Sequence, residues 1–297
     1  MSTMTAKRPI TDSALSGTVS RPRRVRNKVA MTLVWASVLV AAVPLGFVVV
    51  YLVQKGAGVV SWDFLTADIP ISSRLRGPGM GPAVLGTLLI TGAATLMAVP
   101  LGVLAAIYLN EYGRRRRLAS TIRFLSDVMA GVPSIVMGLS IYTVWVLRYG
   151  LTGFAGALAL ACLMLPIVIR SAETALGLVP TELREASAAL GARTSRTILT
   201  VVVPAALPGI VSGALLAVAR AAGETAPLLF TIGTVTSVNR HLTEGTNTAL
   251  SAQIFSNARQ PFEGAIDRAW GAALTLIVLV FLMTAVSRLV ARRFTVR

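Results

Sequence analysis

Two oppositely charged residues, Arg220 and Glu224, lie in a stretch of this chain that is otherwise apolar enough to cross a lipid bilayer. A charge at that depth costs from about 2.5 to more than about 10 kcal/mol, so intramembrane charges usually face a partner or a polar path. A second pair, Arg170 and Glu173, lies in another apolar stretch. The spacings i, i+4 and i, i+3 allow each pair to share one helix face. We therefore predict that these four residues line a path for a polar solute.

An oxyanion is compatible with these pairs, because a guanidinium presents a planar fork of donors and the adjacent carboxylate holds it when no ligand is bound. Arg170 and Glu173 also have a plainer interpretation. They lie near the predicted cytoplasmic end of their span, where long side chains extend to water. In the span of Arg220, the small residues Gly209, Gly213 and Ala217 recur every four positions, which favours helix packing over ligand binding.

The composition favours a membrane protein, with 55% hydrophobic and 13% charged residues, whereas soluble proteins carry about 25% charged residues. The single cysteine, Cys162, excludes an internal disulfide, and the single histidine, His241, leaves no Cys/His metal cluster. No lysine is followed by Ser or Thr, so the phosphate-binding sequence Gly-Lys-Ser/Thr is missing. With no Ser/His/Asp set either, the sequence predicts no enzyme, no catalytic residue, no cofactor and no metal.

Long apolar runs predict an all-α integral membrane protein with six transmembrane helices, since about 20 apolar residues cross the hydrocarbon core. Residues 29–297 form this permease-like domain, and residues 1–28 are predicted to be a disordered basic cytoplasmic tail. Prolines inside the runs are tolerated in bundled membrane helices. The predicted spans are residues 31–53, 84–109, 128–147, 153–176, 207–235 and 268–290.

The distribution of basic residues predicts the orientation in the cell membrane. With the N-terminus inside, 19 of the 28 Lys and Arg residues lie on the cytoplasmic side and 7 lie outside, with Arg170 and Arg220 in the membrane. The positive-inside rule then places both termini in the cytoplasm. The net charge of +16 is dispersed around the spans, which suits an anionic lipid surface and argues against nucleic-acid binding.

A short amphipathic segment between the fourth and fifth predicted spans is predicted to form an interfacial helix, with Thr181 as N-cap and Gly191 as helix stop. It contains Glu185-Ala186-Ser187, then Gly191 four residues later, and Val203-Pro204 farther on. This pattern resembles the EAA loop of the permease subunits of ATP-binding-cassette (ABC) importers, with Ser187 in place of the second alanine.

In that family the loop helix docks on the ATPase subunit. The resemblance therefore implies a coupling role for Glu185, Ala186 and Gly191 in a loop of about residues 177–204. A plain surface helix between two spans is the alternative.

The chain from about residue 60 onward also resembles, more narrowly, the second permease subunit of phosphate-specific importers. The resembling segments are residues 77–88, 100–109, 131–139 and the Gly223-Glu224-Thr225-Ala226-Pro227 sequence within residues 220–228. The resemblance implies a type I ABC-importer permease core of the MetI-like kind. It also implies four partners, namely phosphate, a second permease subunit, a dimer of cytosolic ATP-binding subunits that hydrolyse the ATP, and an extracytoplasmic phosphate-binding protein.

Other functions remain open from the sequence. The importer could carry another oxyanion such as molybdate or sulfate. A secondary anion carrier or channel could also use buried Arg and Glu, although it would not need an EAA loop and often shows an internal repeat.

Overall fold

The computed structural model describes residues 21–75, 77, 79–113 and 116–293, and every regular element in them is helical. In lipid a backbone must satisfy its hydrogen bonds internally, which long apolar segments achieve as helices. The helices are α1 (Arg21–Gly56), α2 (Trp62–Thr66), α3 (Gly81–Ile107), α4 (Arg117–Gly131), α5 (Ser134–Ile141), α6 (Leu147–Tyr149), α7 (Gly153–Gly177), α8 (Thr181–Ala189), α9 (Thr194–Thr197), α10 (Val203–Gly223), α11 (Leu228–Thr231), α12 (Leu250–Ala258) and α13 (Glu263–Arg293). Single π-helical turns cover Tyr108–Tyr112, Tyr142–Val146 and Ile198–Val202.

Residues up to Tyr51 and residues from Leu52 onward form two compact units. In its described part the first unit consists of residues 21–51 of helix α1. Residues 1–20 of the predicted tail lie outside the described residues, whereas residues 21–28 form the first turns of α1. Arginine is a strong helix former and a proline is accepted in a first helical turn, so this basic segment continues the apolar helix that follows it.

The prediction of an all-α membrane protein is confirmed. In the described part of the chain, five helical segments are long and apolar enough to span a membrane, or six if the bent pair α4 and α5 forms one span. Four of the predicted spans correspond to α1, α3, α7 and α13. The predicted third and fifth spans need correction.

The third predicted span, residues 128–147, is not one straight helix. Helices α4 and α5 meet at an angle of 105° around Val132 and Pro133. A residue before proline is pushed out of the helical region, and Val132 accordingly has extended backbone angles (φ −71°, ψ 128°). The two helices therefore form a sharply bent pair ahead of the fourth span.

The fifth predicted span, residues 207–235, lies too far along the chain. The apolar helical segment runs from Thr194 to Gly223 through a π turn, and beyond it only the four residues of α11 are helical as far as residue 235. Gly223 ends α10 and Glu224 turns extended, with φ −69° and ψ 134°. A glycine followed four residues later by Pro227 gives the chain two helix breakers in close succession.

The core of the second unit lies between α3, α7 and α10, and small residues bring these helices together. A Cβ atom at Gly209 would lie 2.7 Å from Ala175, and one at Gly213 would lie 2.1 Å from Ser171. Ala217, the next member of the stripe, is fully buried. The predicted packing role of this stripe is confirmed, as expected for membrane helices that associate through close backbone contact.

Polar side chains organise the segments that precede and follow the spans. Arg268 of α13 is only 2% exposed and donates hydrogen bonds to the carbonyls of Leu75 (2.7 Å) and Ser73 (3.3 Å). Asn247 accepts a hydrogen bond from the first amide of α7, at Gly153, over 3.0 Å. These contacts fix loops that would otherwise be independent of the helices.

Candidate functional site

Arg220 lies in the last turn of α10, and Glu224 caps that helix one residue beyond its end. The two residues are brought together, with Arg220 Nε 3.5 Å from Glu224 Oε1. They do not share one helix face as predicted, because the helix breaks between them. The Arg220 side chain is 69% exposed and that of Glu224 is 18% exposed. Their contact is therefore long and leaves the other four donors of Arg220 without a hydrogen bond to any described residue.

The broken segment after α10 is held from two sides. The carbonyl of Glu224 accepts a hydrogen bond from Ser251 Oγ of α12 at 2.9 Å. On the other side, α5 approaches Pro227 so closely that a Cβ at Gly138 would lie 2.5 Å from its Cα. The break is thus a packed feature of the fold, and it presents the guanidinium of Arg220 at the end of a helix.

Arg170 and Glu173 of α7 do not pair with each other. Arg170 forms an ion pair with Asp127, and Glu173 forms one with Arg123 at 2.7 Å. Both partners lie on α4, so the two pairs connect the antiparallel helices α4 and α7 as successive rungs. The prediction that Glu173 holds Arg170 is corrected here, because α4 places the carboxylate of Asp127 against Arg170.

The two rungs differ in exposure. Arg123 also donates to the carbonyl of Leu109 at 2.9 Å, and Glu173 is mostly covered, so this rung fixes α4 to α7 and to the end of α3. Arg170 and Asp127 are each more than half exposed. Arg170 lines an open groove of about 700 Å³ between α4, α7 and α10, together with Ser171 and Thr174. Of the four predicted pathway residues, Glu173 therefore has the surroundings most typical of a residue that holds helices together.

The predicted coupling helix is present as α8, and none of its side chains is buried. It begins one residue earlier than the predicted cap allows, since Pro180 is the N-cap and Thr181 is already helical. The predicted stop is confirmed. Gly191 has a positive φ of 78°, and the amides of Gly191 and Ala192 bond back to the carbonyls of Ala188 (2.9 Å) and Ser187 (3.2 Å). These two bonds form a Schellman motif, which favours glycine at its left-handed position.

Glu185 and Ala186 lie on exposed turns of α8, as a docking helix requires. The serine that replaces the second alanine of the EAA pattern has a role in the fold, since Ser187 Oγ lies 2.8 Å from Thr197 Oγ1 of α9. Helix α9 leads through a π turn into α10. The substitution thus adds a polar connection between α8 and the helix that ends at Arg220.

Two charged residues near the site were not singled out by sequence reasoning. Arg184 of α8 pairs with Glu111 at 2.9 Å, and the two side chains keep 17% and 9% of their surface exposed. Glu111 lies in the π turn that follows α3, and its partner is 73 residues away along the chain. The one feature of the sequence that could have indicated this pair is a carboxylate directly after an apolar span. That feature does not identify the partner of the carboxylate.

The chain matches known proteins over most of its length. The model of the family described as binding-protein-dependent transport system inner membrane component matches residues 98–296. The chain is 41% identical to phosphate transport system permease protein PstA 1 of Mycobacterium tuberculosis, over 95% of this chain and 96% of the relative. It is 39% identical to phosphate transport system permease protein PstA of Haemophilus influenzae, over 90% and 94% of the two chains.

Solved structures show the same fold at low sequence identity. A chain of the methionine ABC transporter MetNI in an inward-facing conformation superposes with a TM-score of 0.62 at 20% identity, over 72% of this chain and 95% of that one. A chain of an amino acid ABC transporter gives a TM-score of 0.53 at 20% identity, over 70% and 90%. The MetI-like core predicted for the fold is therefore confirmed.

Proposed function

Since the chain belongs to the binding-protein-dependent transport system inner membrane components, and among them to the phosphate transport system permeases, we propose that it is a membrane-spanning permease subunit of an ATP-driven phosphate importer. The observation that carries this proposal is the guanidinium of Arg220. It is largely exposed at the broken end of an apolar helix, and among the described residues it contacts only Glu224, through one donor at 3.5 Å.

A guanidinium in this state is suited to a passing oxyanion. Its planar fork of donors matches two oxygens of a phosphate. The contact with Glu224 is long enough to be exchanged for a ligand, while the carboxylate still compensates the charge when the site is empty. We assign Arg220 to ligand contact and Glu224 to holding it between transport events.

The groove between α4, α7 and α10 extends this path toward the cytoplasm. Arg170 supplies a second exposed guanidinium there, paired with Asp127. Glu173 contributes indirectly, by fixing the wall of the groove through Arg123. The groove is open on one side in the single subunit, which fits a pathway completed by a second permease subunit.

Helix α8 is the proposed contact for a cytosolic ATPase dimer. Its exposed surface combines Glu185 and Ala186 with the exposed apolar side chains of Leu183 and Leu190, and Gly191 ends the helix in open space. Hydrolysis of ATP then belongs to the partner chains. Nucleotide binding drives alternating access because it favours one conformation of the complex over the other.

The importer also needs a phosphate-binding protein on the outer face. We propose that it docks on the outer loops, near residues 54–82 and 236–267, with both termini of the permease in the cytoplasm. The hydrogen bonds from Arg268 to the carbonyls of Ser73 and Leu75 support this assignment, since they give the first loop a fixed shape before any partner arrives.

Uptake of labelled phosphate into proteoliposomes tests the proposal. The permease is reconstituted with its second permease subunit, the ATPase and the binding protein, and each component is omitted in turn. We expect uptake that requires ATP and all components and that is unaffected by excess sulfate or molybdate. Uptake of sulfate or molybdate in preference to phosphate would reassign the substrate, and phosphate uptake without ATP would favour a secondary carrier.

A further inference from the structure

Helix α8 is connected to the membrane helices by very few side chains. Because none of its residues is buried, apolar packing does not fix its position. Two of its polar side chains reach other elements, Arg184 toward α3 and α7, and Ser187 toward Thr197 of α9. Any displacement of α8 must therefore be passed on mainly through these contacts and through the chain itself.

The guanidinium of Arg184 uses all five of its N–H donors. Two nitrogens contact one carboxylate, with Nη2 2.9 Å from Glu111 Oε1 and Nε 3.4 Å from Glu111 Oε2. The remaining donors bind three backbone carbonyls, that of Leu176 in α7 (3.0 Å) and those of Val179 (2.6 Å) and Pro180 (3.4 Å) in the connection between α7 and α8. A planar group with five fixed donors is held in one orientation by such a set, whereas a lysine has three donors on a flexible stem.

Both elements that receive these hydrogen bonds belong to the core of the bundle. Leu176 is fully buried in a cluster with Ala106 of α3 and Ala206 of α10. Glu111 lies in the π turn that extends α3, is 9% exposed, and also accepts a hydrogen bond from Asn110 Nδ2 at 2.6 Å. The carboxylate is thus held by the α3 segment independently of its contact with Arg184.

We propose that Arg184 is the positioning residue that makes α8, α3 and α7 move as one body when the ATPase displaces α8. The proposal rests on the transport function given above and names the contact through which the motion enters the bundle. Ser187 provides the second connection, through Thr197 toward α10. Arg184 affects transport through its contacts with Glu111 and with the carbonyls in and after α7, and it does not touch the transported ion.

The first test compares transported ion with hydrolysed ATP in proteoliposomes that contain the whole complex. Arg184→Lys keeps the charge and loses the fork, and Glu111→Gln keeps the shape and loses the charge. Arg196→Lys is the matched control, because Arg196 lies on the same cytoplasmic segment and is exposed. We expect both test variants to hydrolyse ATP within about twofold of wild type and to lose about 2- to 30-fold in phosphate taken up per ATP, the range found for residues that transmit coupling. The control should match the wild type.

The second test measures the connection itself and does not depend on which solute is carried. Spin labels are placed on α8 at Ala188 and on α3 at Leu104, both exposed positions, in a Cys162→Ala background. We expect a narrow distribution of label distances in the full-length protein that is broadened by Arg184→Lys and by Glu111→Gln and left unchanged by Arg196→Lys. If the wild-type complex fails to take up phosphate, the proposed function is lost and this measurement still decides the role of Arg184.

Two results would overturn the proposal. One is an unchanged ratio of uptake to ATP hydrolysis in both test variants. The other is an unchanged distance distribution in both variants. This result would overturn the proposal even if the variants failed to assemble with the ATPase, because Arg184 would then be needed for assembly and not for transmission.

Discussion

Replacing Gly191 by alanine should loosen the end of α8, the proposed coupling helix, by a predictable amount. Gly191 has a φ of 78°, and a Cβ built on it meets no atom within 4 Å. The substitution therefore causes no clash and acts only through the left-handed backbone. That conformation costs an L-residue about 1 to 2 kcal/mol, which corresponds to a shift of about 5- to 30-fold in an equilibrium.

Hydrogen exchange reports this shift directly. The amide of Ala192 bonds to the carbonyl of Ser187 across the Schellman motif, so its protection measures how often the motif opens. We expect protection of this amide to fall by about 5- to 30-fold in Gly191→Ala, and by less in Gly191→Asn, because asparagine tolerates the left-handed region. Gly58→Ala is the matched control, since Gly58 also has open space around it but has no positive φ.

Equal protection in wild type, Gly191→Ala and Gly191→Asn would refute the strain that we assign to this position. A bulkier change separates strain from docking. Gly191→Leu has the same backbone cost as Gly191→Ala in the isolated subunit. Any additional loss of ATPase co-purification in the leucine variant would therefore arise from side-chain bulk at the proposed interface with the ATPase.

The orientation is tested by thiol labelling in a Cys162→Ala background. Ser72→Cys and Thr243→Cys should react with an impermeant reagent from outside, whereas Ser120→Cys and Thr194→Cys should react only after permeabilisation. The reverse labelling pattern would be incompatible with cytoplasmic termini. Arg220→Lys should assemble normally and lose phosphate uptake by about tenfold, the lower end for a charged hydrogen bond at an exposed group, and Arg220→Gln should lose at least as much. Full transport by the lysine variant, or full rescue by the exchange Arg220→Glu with Glu224→Arg, would contradict a pathway role that depends on the position and geometry of Arg220.

Much of the helical architecture follows from local sequence properties. Apolar runs longer than the bilayer core predict the helices, and four of the six predicted spans need only adjusted ends. Gly191 is predictable as a helix stop because the left-handed conformation is a property of the residue itself. The small-residue stripe from Gly209 to Ala217 is predictable because only small side chains allow helices to approach so closely.

The two breaks in the membrane helices, near Pro133 and Pro227, could not be predicted from local sequence properties in the same way. Pro133 and Pro227 were visible in the sequence, but membrane helices often accommodate prolines without breaking. What distinguishes these positions is a tertiary contact, the close approach of Gly138 of α5 to Pro227. A bend of 105° at the first proline brings α5 to that position, and neither residue reveals the contact on its own.

Ion-pair partners depend on the fold in the same way, and they decide which arginine is available for a ligand. Arg170, Arg123 and Arg184 bond to carboxylates 43, 50 and 73 residues away. Helical spacing predicts contacts only within one helix. It therefore assigned Glu173 to Arg170, although Asp127 of another helix is the partner in the structure. The one pair that spacing did identify, Arg220 with Glu224, is the longest of these four pairs, at 3.5 Å. A local carboxylate beyond a helix end thus compensates the charge of Arg220 while contacting only its Nε, which is the condition that the proposed transient anion site requires.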